Sequence, residues 1–309
     1  MKILFMGTPD FALTCLKGLV DAGEQIVGVI TQPDKPKGRG YTLTPPPVKV
    51  YAQEMGYPVY QPETLKDGAI APLLEGLDPD IICVVAYGKI LPEYVLNYPL
   101  LGCVNVHSSL LPAYRGAAPM QRAIIDGCKK TGITTMYMEK GLDTGDMLEW
   151  SECEIGENDD FESIHDRLAD MGAKLLPHTV KALEAGTLTP TPQSGEASYA
   201  EKITKEDCLI DWTRPAGKIH DQIRGLCPIP LSFTRQGGKI LKIVRSELTG
   251  EKSKAPAGTV ISLDGGKIRV SCGDGVIAIT GVLPEGKGRM SAADYINGRK
   301  IAVGDILGE

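Results

Sequence analysis

Residues 102–119 read GCVNVHSSLLPAYRGAAP. A short apolar run ends on a histidine and gives way to a loop that holds two prolines, Pro112 and Pro119, and a glycine, Gly116. If Cys103–His107 is extended, side chains two apart project to one face, so Asn105 and His107 point one way and Val106 the other. The run is the last of a series: Lys2–Met6, Ile26–Ile30, Pro58–Tyr60, Ile81–Val85 and Cys103–Val106, with amphipathic stretches such as Phe11–Ala22 and Val48–Met55 between. Strand and helix alternating in this way predict an α/β fold with a parallel sheet covered on both faces. The unbroken apolar IICVV fits a central strand. Sites in such folds form beyond the carboxyl ends of the strands, which is where His107 falls.

The chemistry of this stretch has two readings. A carboxamide beside an imidazole suits acyl transfer, the amide donating to an oxyanion while the ring moves or stabilises a proton. The plainer alternative is a capped strand end whose histidine satisfies a backbone carbonyl. Ser108 and Ser109 are poor nucleophile candidates, because no G-x-S-x-G elbow surrounds them. Downstream, GITTMYM (132–138) and DMLEWSECEI (146–155) read as strands joined by EKGLDTG. Asp143 and Asp146 lie in that glycine-flanked region, as turn formers or with Asp143 orienting His107 and favouring its protonated form by charge. The turn GTPDF after the first strand lacks the glycines of a dinucleotide fingerprint.

A helix is expected from about 160 to 185. Next, TLTPTPQSGEASYAEKIT (187–204) is rich in Pro, Thr, Ser and Gly with no apolar period, and reads as a linker. The expected division is 1–188, a linker at 189–206, and 207–309. The last part holds about five short β-rich runs (PLSFTR, KILKIV, GTVISL, KIRVSC, VIAITGV) between turn clusters, suggesting a small OB-like barrel.

A chain of 309 residues with 42% hydrophobic and 23% charged residues can bury two cores. No apolar run reaches the ~20 residues of a membrane span, and the N-terminus lacks signal or transit features, so a cytoplasmic protein without membrane association is expected. The eight cysteines form no C-x-x-C pair, and His107, His165, His178 and His220 show no ligand spacing; reduced thiols and no metal are expected. The net charge of −6 is uneven. Residues 207–309 hold 15 Lys and Arg against 11 Asp and Glu, a balance of +4, leaving −10 for residues 1–206. Such a balance is compatible with chance or with a C-terminal part that touches a polyanion.

Taken together, the chain resembles the methionyl-tRNA formyltransferase family along essentially its whole length. The carriers are MGTPDFA, VVAYGKILP (84–92), NVHSSLLP (105–112), YRGAAPMQRAI (114–124), GLDTGDML (141–148), YAEKI, IDW and PAGTV. The resemblance implies a Rossmann-like parallel-sheet formyltransferase domain followed by the OB-like domain as a tRNA binder. It also implies formyl transfer from 10-formyltetrahydrofolate, as co-substrate, to the α-amino group of methionyl initiator tRNA by a monomeric enzyme. Catalytic roles would fall to Asn105, His107 and Asp143, which together would stabilise the oxyanion of the tetrahedral intermediate as the amine attacks directly. The folate site would include Tyr87, Gly88, Ser109, Leu110, Leu111 and Pro112. A basic loop, DKPKGRGYTLTPPP here, would reach the tRNA acceptor end with Arg39, beside Lys35 and Lys37. Ala113 stands where relatives often carry Arg, and no role is carried to it. A formyltransferase for a small amine would share the catalytic residues, and an RNA-binding protein with a decayed catalytic half is the reading from another class.

Overall fold

A computed structural model describes residues 1–37 and 42–308. The chain packs as two compact bodies, each drawing on separate segments. The first comprises residues 1–116, 131–153 and 165–199, and the second comprises 117–130, 154–164 and 200–309.

The first body is built on β1 (Lys2–Gly7), β2 (Gln25–Ile30), the paired short strands β3 (Lys35–Lys37) and β4 (Thr42–Thr44), β5 (Val59–Tyr60), β6 (Ile81–Val85), β7 (Cys103–His107), β8 (Arg115–Gly116), β9 (Lys130–Tyr137) and β10 (Met147–Glu154), and the two-residue strand β11 (Tyr199–Ala200) falls where its last segment ends. Seven strands form one sheet in the order β10-β9-β7-β6-β1-β2-β5. Strands β1, β2, β5, β6 and β7 pair in parallel. β6 is buried at all five positions, as a central strand must be. The expected parallel sheet is present, and it is extended by β9, which runs antiparallel to β7 with His107 opposite Thr134 and Asn105 opposite Met136. The sheet is mixed because the expected strand pair 132–138 and 146–155 is added at its edge.

Helices α1 (Asp10–Asp21), α2 (Pro47–Glu54), α3 (Ala71–Leu77), α4 (Glu93–Leu96) and most of α6 (Phe161–Glu184) belong to this body. In α1 the buried positions are 11, 12, 15, 16 and 19, one helical stripe. A Cβ on Gly172 of α6 would lie 3.0 Å from Cys15 Sγ and 3.2 Å from Val106 Cγ1, so the helix lies close under Val106. By strand alternation Asn105 and His107 therefore project from the other face.

The second body centres on an antiparallel sheet of β12 (Ser232–Gln236), β13 (Lys239–Leu248), β14 (Val260–Ser262), β15 (Ile268–Ser271) and β16 (Val276–Pro284), ordered β12-β13-β16-β15-β14, with β17 (Met290–Ser291) paired to β16. Its core gathers Trp212, Ile219, Ile223, Ile243, Val270, Ile279 and Tyr295. Two of these come from α7 (Ala216–Gly225), a helix hidden among β-rich runs, and Tyr295 from α8 (Ala292–Asn297).

α5 (Pro119–Asp126), from the motif RGAAPMQRA, belongs to this second body. Its approach to α7 is close: a Cβ on Gly225 would stand 2.8 Å from the Ile125 side chain. Arg122 also forks onto Asp207, with N–O distances of 2.9 and 2.8 Å, and this guanidinium holds the Asp207 carboxyl below its ordinary value. The packing thus differs from a single cut at 189–206, since residues 117–130 and 154–164 cluster with 200–309. Among the described residues no two cysteines form a disulfide, and six of the eight are buried. Among the described residues no helix is long and apolar enough to cross a membrane.

Candidate active site

His107 closes β7 at the sheet edge from which the chain after β6 also leaves, because β6 and β7 are parallel neighbours. The ring is 5% exposed. Its Nε2 lies 3.0 Å from the Tyr114 carbonyl. A carbonyl only accepts, so Nε2 carries the hydrogen and, in the neutral ring, Nδ1 keeps its lone pair. Nδ1 stands 3.7 Å from Oδ2 of Asp143, whose side chain is 17% exposed. The plain alternative, a histidine satisfying a backbone carbonyl, is therefore realised at one nitrogen and the carboxylate contact at the other.

The loop that brings Asp143 there starts beside the far end of β7, since Tyr137 of β9 pairs with Val104. It folds back toward His107. Gly145 permits the return: a Cβ there would fall 1.9 Å from the Tyr137 carbonyl oxygen. Asp143 adopts φ 51°, in the left-handed region. Its Oδ2 accepts from the Gly116 N–H at 2.8 Å. Gln193 donates from Nε2 to the carbonyls of Asp143 (2.9 Å) and Gly145 (2.8 Å), and its Oε1 accepts from Arg115 at 3.1 and 2.7 Å.

Burial pushes the His107 ring below its ordinary pKa, outweighing Asp143 and the Tyr114 carbonyl, which both pull it up. Asp143 favours the protonated ring, as its charge implies. The charge acts in that direction, but desolvation wins and the resting ring is neutral.

Asn105 is half-buried on the same face as His107. Its carboxamide makes no hydrogen bond among the described residues. A neutral donor therefore sits beside a ring and a carboxylate that together have room for one more proton.

The expected folate segments flank this group. Ser109 is buried and fastens the loop: its Oγ donates to the Ala113 carbonyl (2.6 Å) and its carbonyl accepts from Thr134 (2.7 Å). Leu111 N–H donates to Thr134 Oγ1 at 3.3 Å, and the Pro112 carbonyl accepts from Ser198. The Leu110 N–H and Leu111 carbonyl have no partner among the described residues, a donor and an acceptor on adjacent residues. The Tyr87 side chain is packed in a core with Leu4, Ile30, Val84 and Cys103, and burial pushes its hydroxyl up to about 12. Its carbonyl accepts from Gln32 Nε2 at 3.0 Å and from Thr8 Oγ1 at 3.4 Å. Gly88, at φ 83°, has open space where a Cβ would stand.

Of the basic loop, Lys35 is exposed on β3, the Lys37 backbone pairs with Thr42, and Arg39 lies outside the described residues. Arg115, Gly116, Tyr114 and Gln193 touch the site yet carried no role in the sequence reading. Gln193 sits inside the stretch taken for a linker, and no local pattern marks it.

Residues 1–180 match the formyl transferase family and residues 202–300 match the formyl transferase C-terminal domain. The chain belongs to the formyl transferase family. Within that family it is similar to a methionyl-tRNA formyltransferase of Pelotomaculum thermopropionicum, 47% identical over 310 residues, covering 100% of this chain and 99% of the relative. Among solved structures, methionyl-tRNA formyltransferase from Clostridium thermocellum superposes with a TM-score of 0.56 at 20% identity, over 82% of this chain and 95% of that one. HypX from Aquifex aeolicus in complex with tetrahydrofolic acid gives 0.68 at 17% identity, over 98% of this chain and 48% of that one. At these identities the structural likeness concerns the fold alone.

Proposed function

We propose that the chain transfers the formyl group of 10-formyltetrahydrofolate to the α-amino group of methionyl initiator tRNA, giving formylmethionyl-tRNA for translation initiation. The observation that carries this reading is the buried His107 ring with Nδ1 3.7 Å from the Asp143 carboxylate. Full-length similarity to methionyl-tRNA formyltransferases supports the choice of acceptor.

In the reaction the amine lone pair forms a bond to the formyl carbon, the bond from that carbon to the folate nitrogen breaks, and one proton passes from amine to folate nitrogen. An α-amino group with a pKa of about 7.7–8.0 is substantially neutral near neutrality, so the amine needs little activation. With Nε2 engaged by Tyr114, the ring has no spare N–H for the formyl oxygen. That role falls to Asn105, whose amide is a free donor. His107 accepts the amine proton at Nδ1, with Asp143 stabilising the imidazolium so formed.

The folate is assigned to the backbone of Tyr87, Gly88 and Ser109–Pro112, where the open side of Gly88 and the unpaired Leu110 N–H and Leu111 carbonyl fit a flat polar heterocycle. tRNA is assigned to Lys35, Lys37 and Arg39 at its acceptor end, and to the positively balanced residues 207–309 for salt-dependent backbone contacts. In this reading residues 1–188 carry the chemistry and 189–206 lead to the tRNA-binding, OB-like part. The enzyme works as a cytoplasmic monomer without a metal. The test is direct: charged initiator tRNA, charged elongator tRNA and an amino-sugar nucleotide are each mixed with a labelled formyl-folate donor. Product from the initiator alone is expected, and product from the sugar alone would overturn the reading.

A further inference from the structure

We propose that Gln193 is a positioning residue for the His107–Asp143 pair, and that residues 191–198 form a strap fixing the groups at both nitrogens of the imidazole. The inference rests on the reading of the site given above. Gln193 spends its whole carboxamide on the site loops. Two donations go to the Asp143 and Gly145 carbonyls, and two bonds come from the Arg115 guanidinium. Upstream, Thr191 and Met147 exchange backbone hydrogen bonds of 2.8 and 2.9 Å. Downstream, Ser198 Oγ accepts from Tyr114 N–H and its carbonyl accepts from Arg115 N–H, both at 2.9 Å. The strap thus holds Tyr114, whose carbonyl takes Nε2 of His107, and Asp143, whose carboxylate faces Nδ1.

Both held residues need holding. Tyr114 sits at φ 60° and Asp143 at φ 51°, sparsely populated conformations for residues with a Cβ. Such conformations persist where the surroundings over-determine them. Gln193 itself reaches no reacting atom. Its effect passes through the Asp143 loop.

The test compares four proteins: the full-length chain, Gln193→Ala, Gln193→Glu and Gln193→Ala combined with Asp143→Asn. A misplacement of about 1 Å in a site costs up to ~10²-fold. Gln193→Ala should therefore lower kcat by roughly tenfold or more while leaving KM for both substrates in place. Gln193→Glu keeps an acceptor for Arg115 but loses the amide donors, so it should fall as far as the alanine variant. With Asp143→Asn already present, removing Gln193 should cost little more. A second readout needs no turnover. The NMR titration midpoint of the His107 ring should move to lower pH in Gln193→Ala, as the carboxylate that raises it is released. An unmoved midpoint, a near-native Gln193→Glu, or full additivity with Asp143→Asn overturns the strap. A full-length chain that transfers no formyl group while the midpoint moves as stated overturns the functional reading and leaves the strap standing.

Discussion

Two buried histidines, one in each body, form an internal control. His107 is 5% exposed and His220 3%. Burial pushes both rings below the ordinary histidine range. Each sets Nε2 against a backbone carbonyl, Tyr114 at 3.0 Å and Glu157 at 3.1 Å. They part at Nδ1. In His220 it meets the Ser246 hydroxyl at 3.0 Å, a neutral partner that can donate or accept. In His107 it meets a carboxylate at 3.7 Å. Burial and a carbonyl bond therefore do not mark a working histidine, because both rings have them. What distinguishes His107 is a carboxylate facing Nδ1 itself, whereas around His220 the pull of Asp221 and Glu157 is opposed by Arg224.

The sharpest break would come from removing each ring in turn. His107→Ala should lower the single-turnover transfer rate by about 10³-fold, inside the range for a general acid–base group, and Asp143→Asn by about 10²-fold, with tRNA affinity little changed in both. Lost binding with normal chemistry would move His107 from catalysis to substrate capture. His220→Ala should leave the rate per folded molecule unchanged and cost about 1–3 kcal/mol of stability in denaturant titration, because Ser246 and the Glu157 carbonyl lose their partner. A rate loss in a fully folded His220→Ala protein would erase the contrast.

The smallest effect is on the pH dependence of stability. A folded-state pKa below the unfolded value of about 6.5 means that the unfolded chain binds more protons in acid. Stability is then fully present above about pH 6.5 and is lost as the pH falls toward the folded pKa of each ring. Each contributes a slope of at most about 1.4 kcal/mol per pH unit within that window. His220→Gln should flatten the slope by one such share, as read from unfolding at several pH values, and an unchanged slope would contradict a neutral buried His220.

The sheet was legible because its strands are contiguous apolar runs, as in KILFM, IICVV and CVNV, and because Asn105 and His107 share a face by the strand period alone. The positions in sequence of Asp143 and the folate segments were legible as motifs. What holds them was not. Tyr114 acts through its carbonyl and Gly116 through its N–H, groups every residue possesses, so no residue type announces them. Gln193 reaches Asp143 across fifty positions from a segment whose composition reads as a linker. The neutral resting state of His107 depends on how deeply folding buries it, a tertiary quantity that outweighed the charge argument. α5 likewise follows the site loop directly in sequence, while its packing against α7 assigns it to the other body.

The most direct measurement follows both rings by NMR in one titration, in the native chain and in Asp143→Asn. The His107 midpoint should drop when the carboxylate becomes an amide while the His220 midpoint stays where it was. If the His107 midpoint does not move, the carboxylate at 143 is not acting on the ring, and the distinction between the two histidines is lost.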